Sequence, residues 1–310
     1  MGSVVDNTVV AAVNPLPPVV VTGWRGKLAD YWTLTKPEVN SLVVASTLAG
    51  FYLGWRCAMD YWLMFHTLSG TLLVASGTAT LNQWMEREND AHMRRTANRP
   101  LPAGRLSSAE ALGFGVLLSV GGGLYLGLAV NVLASALALL TLVSYLLLYT
   151  PLKRKTPYCT LVGAFPGAMP PLIGWAAARG SLSLEAWVLY AILFVWQFPH
   201  FLSIAWMYRE DYARAGLLML PQNDPQGRRA AQQILTTSLV LLPISLLPTM
   251  LGQMGWVYFL GALPLGLVLL YFGVLTAKIR SNVLARRLLL ASVFYLPLIF
   301  GLMIVDKVLL

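Results

Sequence analysis

The sequence predicts an all-α, polytopic membrane protein with about nine transmembrane helices. Of its 310 residues, 57% are hydrophobic and only 11% are charged, and the mean hydropathy is strongly positive. A soluble fold of this length does not hide so much apolar surface. The apolar residues also fall into separate stretches of about 20 residues, the length that a helix needs to cross roughly 30 Å of hydrocarbon.

Charged and Pro/Gly-rich breaks separate nine apolar stretches. They cover residues 38–56, 62–83, 108–128, 131–150, 159–178, 185–207, 232–252, 256–276 and 287–305. The boundary between the third and the fourth stretch is the weakest, because only Asn131 interrupts the apolar sequence there. We predict one membrane domain over residues 31–310. Residues 1–30 are predicted to form a flexible tail, since the chain does not begin with the basic segment of a cleaved secretory signal.

The basic residues indicate how the chain is oriented. If the N-terminus is cytoplasmic, the segments outside the cytoplasm hold Arg56, Arg179 and Lys307. The cytoplasmic segments then hold all the others: Arg25, Lys27, Lys36, Arg87, Arg94, Arg95, Arg99, Arg105, Lys153, Arg154, Lys155, Arg209, Arg214, Arg228, Arg229, Lys278, Arg280, Arg286 and Arg287. The positive-inside rule therefore predicts a cytoplasmic N-terminus. The net charge of +9 needs no nucleic-acid partner, because basic loops face an anionic leaflet.

The first polar cluster is LNQWMERENDAHMRRTANRPLPAG, residues 81–104, at the predicted cytoplasmic end of the second span. Asn82, Glu86 and Asp90 recur every four residues, so on a helix they form one polar stripe. Such oxygen ligands suit Mg²⁺, which takes one or two protein carboxylates plus the phosphate oxygens of a substrate. The alternative is a solvated helix end on which Glu and Arg residues pair at a spacing of four.

A cationic segment follows the stripe and favours the metal site. Arg94, Arg95 and Arg99 lead into a stiff turn with Pro and Gly at residues 100–104. Cations beside carboxylates can bind the diphosphate oxygens that a metal leaves free. Arg95 and Arg99 are therefore candidate diphosphate-binding residues.

The second polar cluster is YTPLKRKTP, residues 149–157, at the predicted cytoplasmic end of the fourth span. Lys153 and Arg154 are candidate diphosphate contacts, although a basic loop is also an ordinary topology signal. Tyr149 favours the phosphate role because its hydroxyl can donate to an anion. The alternative is that Tyr149 is an aromatic residue of the membrane interface.

The third polar cluster is WQFPHFLSIAWMYREDYARAGLLMLP, residues 196–221, at the end of the sixth predicted span. Asp211 lies where the helix leaves the membrane. Gln197 and His200 lie about three turns deeper. A His at that depth requires a partner, which is either a neighbouring helix or a bound ligand. All three clusters lie on the predicted cytoplasmic face, above an apolar bundle that suits a substrate with a charged head and an apolar tail.

At these residues the sequence resembles the UbiA superfamily of intramembrane prenyltransferases, from about Leu34 onward. NxxxExxxD followed by MRRTANRPLPAG fits the first signature of that superfamily, and YTPLKRKTP fits its basic signature. GAFPGAMPPLIGWAA, residues 163–177, and WQFPHF with REDYARAGLLMLP resemble the branch that modifies haem. Relatives that act on quinone precursors or chlorophyllide usually carry several carboxylates in a second stripe. Here only Asp211 stands at the expected place, which favours the haem branch.

The resemblance implies a UbiA-type bundle with a central cavity, and a reaction of farnesyl diphosphate with haem B and water. Its products are haem O and diphosphate, for haem A and haem O synthesis in terminal oxidases. The resemblance also implies the inner membrane of a bacterium, a site on the cytoplasmic side, and haem A synthase or a terminal-oxidase assembly protein as partner. It assigns the binding of Mg²⁺ to Asn82, Glu86, Asp90 and Asp211, with Tyr149 as a further catalytic residue. It assigns the binding of the diphosphate to Arg95, Arg99, Lys153 and Arg154. It assigns the binding of haem to His200, Gln197 and Trp196.

Two other functions remain open at the level of sequence. A UbiA-type enzyme could act on a quinone precursor or on chlorophyllide, which product analysis would distinguish. A transporter or a purely haem-binding membrane protein could also have nine apolar spans with polar clusters. A transporter would place its polar residues near mid-membrane in broken helices, whereas here most ionisable residues lie at one face. This distribution favours an enzyme, and we expect diphosphate release to identify it.

Overall fold

The computed structural model describes residues 23–220, 224 and 226–309, and the described chain consists of helices joined by short connections. Twelve helices are distinguished below by their order along the chain. They are α1 (Trp24–Leu34), α2 (Pro37–Gly54), α3 (Tyr61–Ala91), α4 (Ser108–Ala129), α5 (Val132–Leu152), α6 (Cys159–Gly167), α7 (Pro170–Arg179), α8 (Leu184–Met207), α9 (Arg209–Arg214), α10 (Arg228–Met250), α11 (Trp256–Ile279) and α12 (Asn282–Leu309).

The predicted all-α, multi-pass class is confirmed. Each of the nine apolar stretches coincides with a helix, or with the pair α6 and α7, which Pro170 and Pro171 separate. Within the described chain, seven of these units are long and apolar enough to cross a membrane. The other two, α2 and α3, have a lower hydropathy because they carry polar side chains, of which Asn40, Thr47 and Thr80 are examples buried inside the protein. The count of nine spans therefore stays a prediction.

Helix α1 overlaps the predicted tail. Residues 24–30 are helical, and Asp30 is buried where it accepts a hydrogen bond from Arg105 at 2.9 Å. Lys27 pairs with Glu110 at the start of α4, with 2.8 Å between nitrogen and oxygen. The folded chain therefore extends to the N-terminal side of the predicted boundary at residue 31. Residues 1–22 of the predicted tail lie outside the described residues.

The bundle is built from two groups of helices that contact each other through α2, α6 and α7. In the first group α3 packs along α4, and α2 packs against α7. In the second group α8 packs against α10 and α12, with α11 between those two. Helices α2 and α7 approach each other closely, since a Cβ atom at Gly50 or Gly174 would collide with the backbone of the other helix. Glycine at these positions allows the two helices to touch.

The last helix ties the bundle together at the end opposite the polar clusters. Lys307 Nζ donates to three carbonyl oxygens at the end of α2, at distances of 2.6 to 3.2 Å. The adjacent Asp306 is buried and accepts from the backbone N–H groups of Gly255 and Tyr258 at the start of α11. These contacts satisfy backbone groups that helix ends leave without partners. The candidate site lies at the other end of the bundle.

Candidate active site

The stripe of Asn82, Glu86 and Asp90 lies on the last turns of α3 and is buried. The three residues are 1%, 8% and 1% exposed, respectively. A solvated helix end would expose them to water, so their burial excludes that alternative. Polar side chains that are buried in this way require partners.

Two of these partners are predicted diphosphate cations. Lys153 Nζ lies 2.8 Å from Glu86 Oε1, and Arg99 Nη1 lies 2.6 Å from Asp90 Oδ2. Burial acts to lower the pKa of the Lys153 ammonium, but the Glu86 carboxylate beside it raises that pKa well above its ordinary value. Lys153 is therefore positively charged. The structure thus brings the predicted metal ligands and two predicted diphosphate residues into direct contact.

Sequence reasoning missed a third cation of the same cluster. Lys36 Nζ donates to Asn82 Oδ1 at 2.9 Å, from the junction between α1 and α2. Burial lowers the pKa of Lys36 to about 7, and the charge of Arg99 acts in the same direction. Its backbone φ of 50° is uncommon for a residue other than glycine. The sequence signal is an ionisable residue immediately before Pro37, and the charge distribution alone indicates only a cytoplasmic location for it.

The stripe leaves one buried carboxylate oxygen available for a metal ion. Asp90 Oδ1 is buried and has no hydrogen-bond partner among the residues described. Over the same residues, no three His, Cys, Asp or Glu side chains are grouped so that they could hold a metal ion on their own. Two carboxylates and an amide instead fit Mg²⁺ that shares its coordination with a phosphate substrate. The donor set is therefore compatible with the predicted metal.

The basic loop after α5 is attached to α3 and to the segment after α9. Arg154 donates to the Asn89 side chain, and Asn89 Nδ2 donates to the Ala215 carbonyl oxygen at 2.7 Å. The Leu218 N–H donates to the Lys153 carbonyl oxygen at 2.6 Å. Segments from all three predicted polar clusters therefore meet at this end of the bundle. Arg154 is among them, although its contact is with Asn89 and not with the stripe.

Tyr149 lies beside the stripe. Lys153 Nζ lies 4.5 Å from the centre of the Tyr149 ring, a cation–π distance. Tyr149 ends a π-helical turn, Tyr145–Tyr149, in the last part of α5. Such turns are rare and often mark functional sites. The ring packs on Gly163 of α6, where a Cβ atom would collide with it.

Asp211 and Arg95 make their contacts away from the stripe. Asp211 pairs with Arg214 one turn later on α9. Arg95 Nη2 lies 3.4 Å from the Tyr212 hydroxyl, and its guanidinium lies 5.0 Å from the centre of the Tyr208 ring. Asp211 as a metal ligand and Arg95 as a diphosphate contact therefore stay predictions.

His200 is held by α12. Its Nδ1 lies 2.9 Å from Ser292 Oγ, and Trp196, which stacks on the imidazole at 4.7 Å, donates to the Ser292 carbonyl oxygen. Ser292 Oγ itself donates to the Leu289 carbonyl oxygen at 2.7 Å. Since that bond uses the hydroxyl proton, Nδ1 of the imidazole is the donor to Ser292. The other ring nitrogen, Nε2, then carries a lone pair that can bind a metal or accept a hydrogen bond.

The buried amide of Gln197 is bound by hydrogen bonds within the protein. It donates to the carbonyl oxygens of Ala164 and Leu193, each at 3.1 Å. The side chain fits against Gly167, where a Cβ atom would collide with Gln197 Oε1. Gln197 therefore joins α8 to α6, and its predicted contact with haem stays a prediction.

Comparison with known proteins identifies the family. The model of the UbiA prenyltransferase family matches residues 43–299, most of the chain. The chain belongs to the UbiA prenyltransferase family. The predicted resemblance is thereby confirmed, and so is the assignment as a prenyltransferase enzyme.

Two relatives of this UbiA protein are similar over almost their whole length. A protein from Solibacter usitatus named protoheme IX farnesyltransferase is 54% identical, over 90% of this chain and 99% of its own. A protein of the same name from Koribacter versatilis is 48% identical, over 92% of this chain and 95% of its own.

Solved structures show the same fold at low sequence identity. One, from work on digeranylgeranylglyceryl phosphate synthase, has a TM-score of 0.76 and 17% identity, over 92% of this chain and 100% of its own. Another is a UbiA homologue from Archaeoglobus fulgidus bound to DMAPP and Mg²⁺, with a TM-score of 0.59 and 13% identity over 88% of this chain and 99% of its own. These likenesses confirm the UbiA-type bundle.

Proposed function

We propose that this UbiA family member transfers a farnesyl group from farnesyl diphosphate to a vinyl group of haem B, giving haem O and diphosphate. The relatives named protoheme IX farnesyltransferase support both substrates. The structural observation that carries the proposal is the buried row of three side chains on α3, each of which contacts one cation. This row combines groups for a metal ion and groups for a diphosphate in one place.

In this proposal Asn82, Glu86 and Asp90 hold Mg²⁺. The homologue bound to DMAPP and Mg²⁺ supports a metal-dependent transfer, and the partnerless Asp90 Oδ1 supports the ligand set. When bound, Mg²⁺ supplies positive charge that stabilises the leaving diphosphate. Asp211 is the further ligand we propose, and it would have to exchange its contact with Arg214 for the metal.

The cations of the site bind the diphosphate. Lys36, Lys153 and Arg99 already lie against the stripe, so they can move their hydrogen bonds from stripe oxygens to diphosphate oxygens. When all three are protonated, they exceed the two stripe carboxylates by one positive charge. A net positive, partly buried cluster favours a polyanion more strongly than an exposed one does. Arg95, Arg154 and the Tyr149 hydroxyl are proposed to complete this binding site.

The transfer needs bond breaking at the diphosphate end and protection of the resulting carbocation. The C–O bond of farnesyl diphosphate breaks with its electrons going to the diphosphate, whose charge the cations stabilise. The electrons of the haem vinyl group then form the new C–C bond, and water adds a hydroxyl group with loss of a proton. Trp196 and Phe201 offer aromatic faces that stabilise positive charge. The apolar bundle excludes water until the C–C bond has formed.

His200 is our candidate for contact with haem. The Ser292 hydroxyl fixes Nδ1 as the donor and leaves the Nε2 lone pair for the haem iron or for the water that adds to the vinyl group. Trp196 stacks on the imidazole and restricts its rotation. A fixed tautomer and a fixed ring plane favour binding of a flat substrate at this depth of α8.

We further propose a location in the inner membrane of a bacterium, with the site on the cytoplasmic side. The uneven distribution of Lys and Arg supports this orientation. Haem O would pass to haem A synthase or to a terminal-oxidase assembly protein.

The test is turnover of the purified protein in lipid nanodiscs with Mg²⁺ and farnesyl diphosphate. One reaction receives haem B and a parallel one receives an aromatic acid. We expect diphosphate release only with haem B, and a product whose mass equals haem plus a hydroxyfarnesyl group. A prenylated aromatic acid would assign the chain to the quinone branch instead. Absence of diphosphate release with either acceptor would contradict prenyl transfer to both.

A further inference from the structure

A second basic region lies between α10 and α11, at the same end of the bundle as the candidate active site. It is a groove of about 330 Å³ that Arg228 enters from α10, and Lys278 and Arg280 from the end of α11. These residues belong to α10 and the end of α11, whereas the stripe belongs to α3. The proposed prenyl transfer uses none of them.

The cations of this groove are available for an external anion. Arg228 and Lys278 are exposed, and neither side chain has an ion pair or hydrogen bond within the described part of the chain. Arg280 donates to the carbonyl oxygen of Gln226 at 3.0 Å, which leaves its charge uncompensated. The nearby Asp224 uses its two oxygens to accept from backbone N–H groups at the start of α10. The groove therefore carries a local excess of positive charge.

The rest of the groove is apolar. Leu235 and Val274 line it away from the cations, on helices long and apolar enough to cross a membrane. A small hydrophilic anion would gain no binding free energy from these apolar side chains. An amphiphile with an anionic head and hydrocarbon chains matches both parts, because basic pockets between transmembrane helices bind the head groups of anionic lipids.

We propose that this groove binds an anionic phospholipid from the membrane leaflet on the same side as the candidate active site. The phosphate lies between Arg228 and Lys278, with Arg280 beside it, and an acyl chain lies along Leu235 and Val274. The lipid would fasten α10 to α11 next to the junction where Trp206 of α8 packs against Gly227.

The test compares two double variants with the same loss of charge. Arg228→Gln with Lys278→Gln removes two cations of the groove, while Arg280 is kept because it has a positive φ and bonds to the loop. Arg25→Gln with Arg286→Gln is the control, since both residues are exposed and lie outside the groove. Each protein is reconstituted in nanodiscs of equal parts phosphatidylcholine and phosphatidylglycerol. The retained lipid is then counted by native mass spectrometry.

We expect the wild type and the control variant to retain phosphatidylglycerol in preference to phosphatidylcholine. The groove variant should lose this preference by about tenfold or more, because it removes two charge-assisted hydrogen bonds to the lipid phosphate, which the control variant keeps. The single variant Lys278→Gln should show a smaller loss. Equal losses in the groove and control variants would overturn the proposal in favour of general charge attraction. Displacement of the lipid by free glycerol phosphate would overturn it in favour of a site for soluble anions.

Discussion

The Lys153 ammonium lies 2.8 Å from Glu86 Oε1, and the two side chains are only 11% and 10% exposed. A buried ion pair is weak evidence for stability, because desolvation of both charges offsets much of their attraction. The proposed binding of a metal ion and a diphosphate would give this pair another role. In that proposal the Glu86 carboxylate and the Lys153 cation neutralise each other until the metal ion and the diphosphate provide a partner for each.

Replacement of Glu86 by Gln tests the metal role. Gln keeps the size of the side chain and can still accept from Lys153, so we expect the protein to fold. Loss of the negative charge should lower Mg²⁺-dependent turnover by at least about a hundredfold, the typical effect of removing one group that stabilises developing charge. Initial rates of diphosphate release, measured over a series of Mg²⁺ concentrations, would show this loss.

Glu88→Gln is the matched control for Glu86→Gln. Glu88 lies on the same helix but is exposed and pairs with the adjacent Arg87. Its replacement should leave turnover within about twofold of the wild type, because exposed pairs contribute little. Equal losses in the two variants, or Mg²⁺-dependent turnover that persists in Glu86→Gln, would contradict the assignment of the stripe to the metal.

Replacement of Lys36 by Gln tests the cation that sequence reasoning missed. Gln keeps a hydrogen-bond donor near this position but is one bond shorter than Lys and carries no charge. We expect the KM for farnesyl diphosphate to rise by about tenfold, because a charge-assisted hydrogen bond to the diphosphate becomes a neutral one. Lys27→Gln is the control, since Lys27 is exposed and pairs with Glu110. An unchanged KM in Lys36→Gln would place Lys36 outside the diphosphate site.

The stripe was predictable from sequence, but its pairing with Lys36 and Lys153 was not. Asn82, Glu86 and Asp90 share one helix, so their spacing alone places them on one face. Lys36 reaches Asn82 across 46 positions of sequence and Lys153 reaches Glu86 across 67. Such contacts depend on how the helices pack, which local periodicity does not describe.

The same limit applies to the third cluster. The depth of His200 predicted that it needs a partner, but Ser292 on α12 could be identified only from the packed structure. Asp211 was predicted from its place in a motif, and the structure shows it with Arg214. The broad fold was predictable because each span has its own apolar stretch. The break between α6 and α7 was not, because two short helices have the same total length as one span.

Replacement of His200 by Ala should abolish haem binding and spare the binding of farnesyl diphosphate. The reason is that the Nε2 lone pair is lost while the stripe on α3 is unchanged. Haem binding is followed by absorbance titration in detergent, and diphosphate binding by calorimetry with a non-hydrolysable analogue. His66→Ala is the control for the loss of a histidine, because His66 contacts Tyr125 on α4 and is not a candidate for contact with haem. Normal haem titration in His200→Ala would contradict the assignment.

Ser292→Ala separates a positioning role from direct contact. The variant keeps the imidazole of His200 but removes the hydroxyl that accepts from Nδ1. If His200 binds the haem iron, affinity for haem should fall by about tenfold or more, as when the outer partner of a ligating His is removed. An unchanged affinity, together with loss of haem binding in His200→Ala, would instead indicate contact with another part of haem or with the water.

The approach of α2 to α7 predicts opposite effects for two Gly→Ala replacements. At Gly174 a Cβ atom would collide with the backbone of α2, so Ala must push the helices apart. Overpacking of this kind costs roughly 1 to 3 kcal/mol, and the melting temperature should fall. Gly113 also lies inside a helix, α4, but its added Cβ atom would meet nothing within 4 Å. There Ala should stabilise the helix by about 0.5 to 1 kcal/mol. Tryptophan fluorescence during heating in detergent gives both melting temperatures, and a rise for Gly174→Ala would show that the two helices can separate without loss.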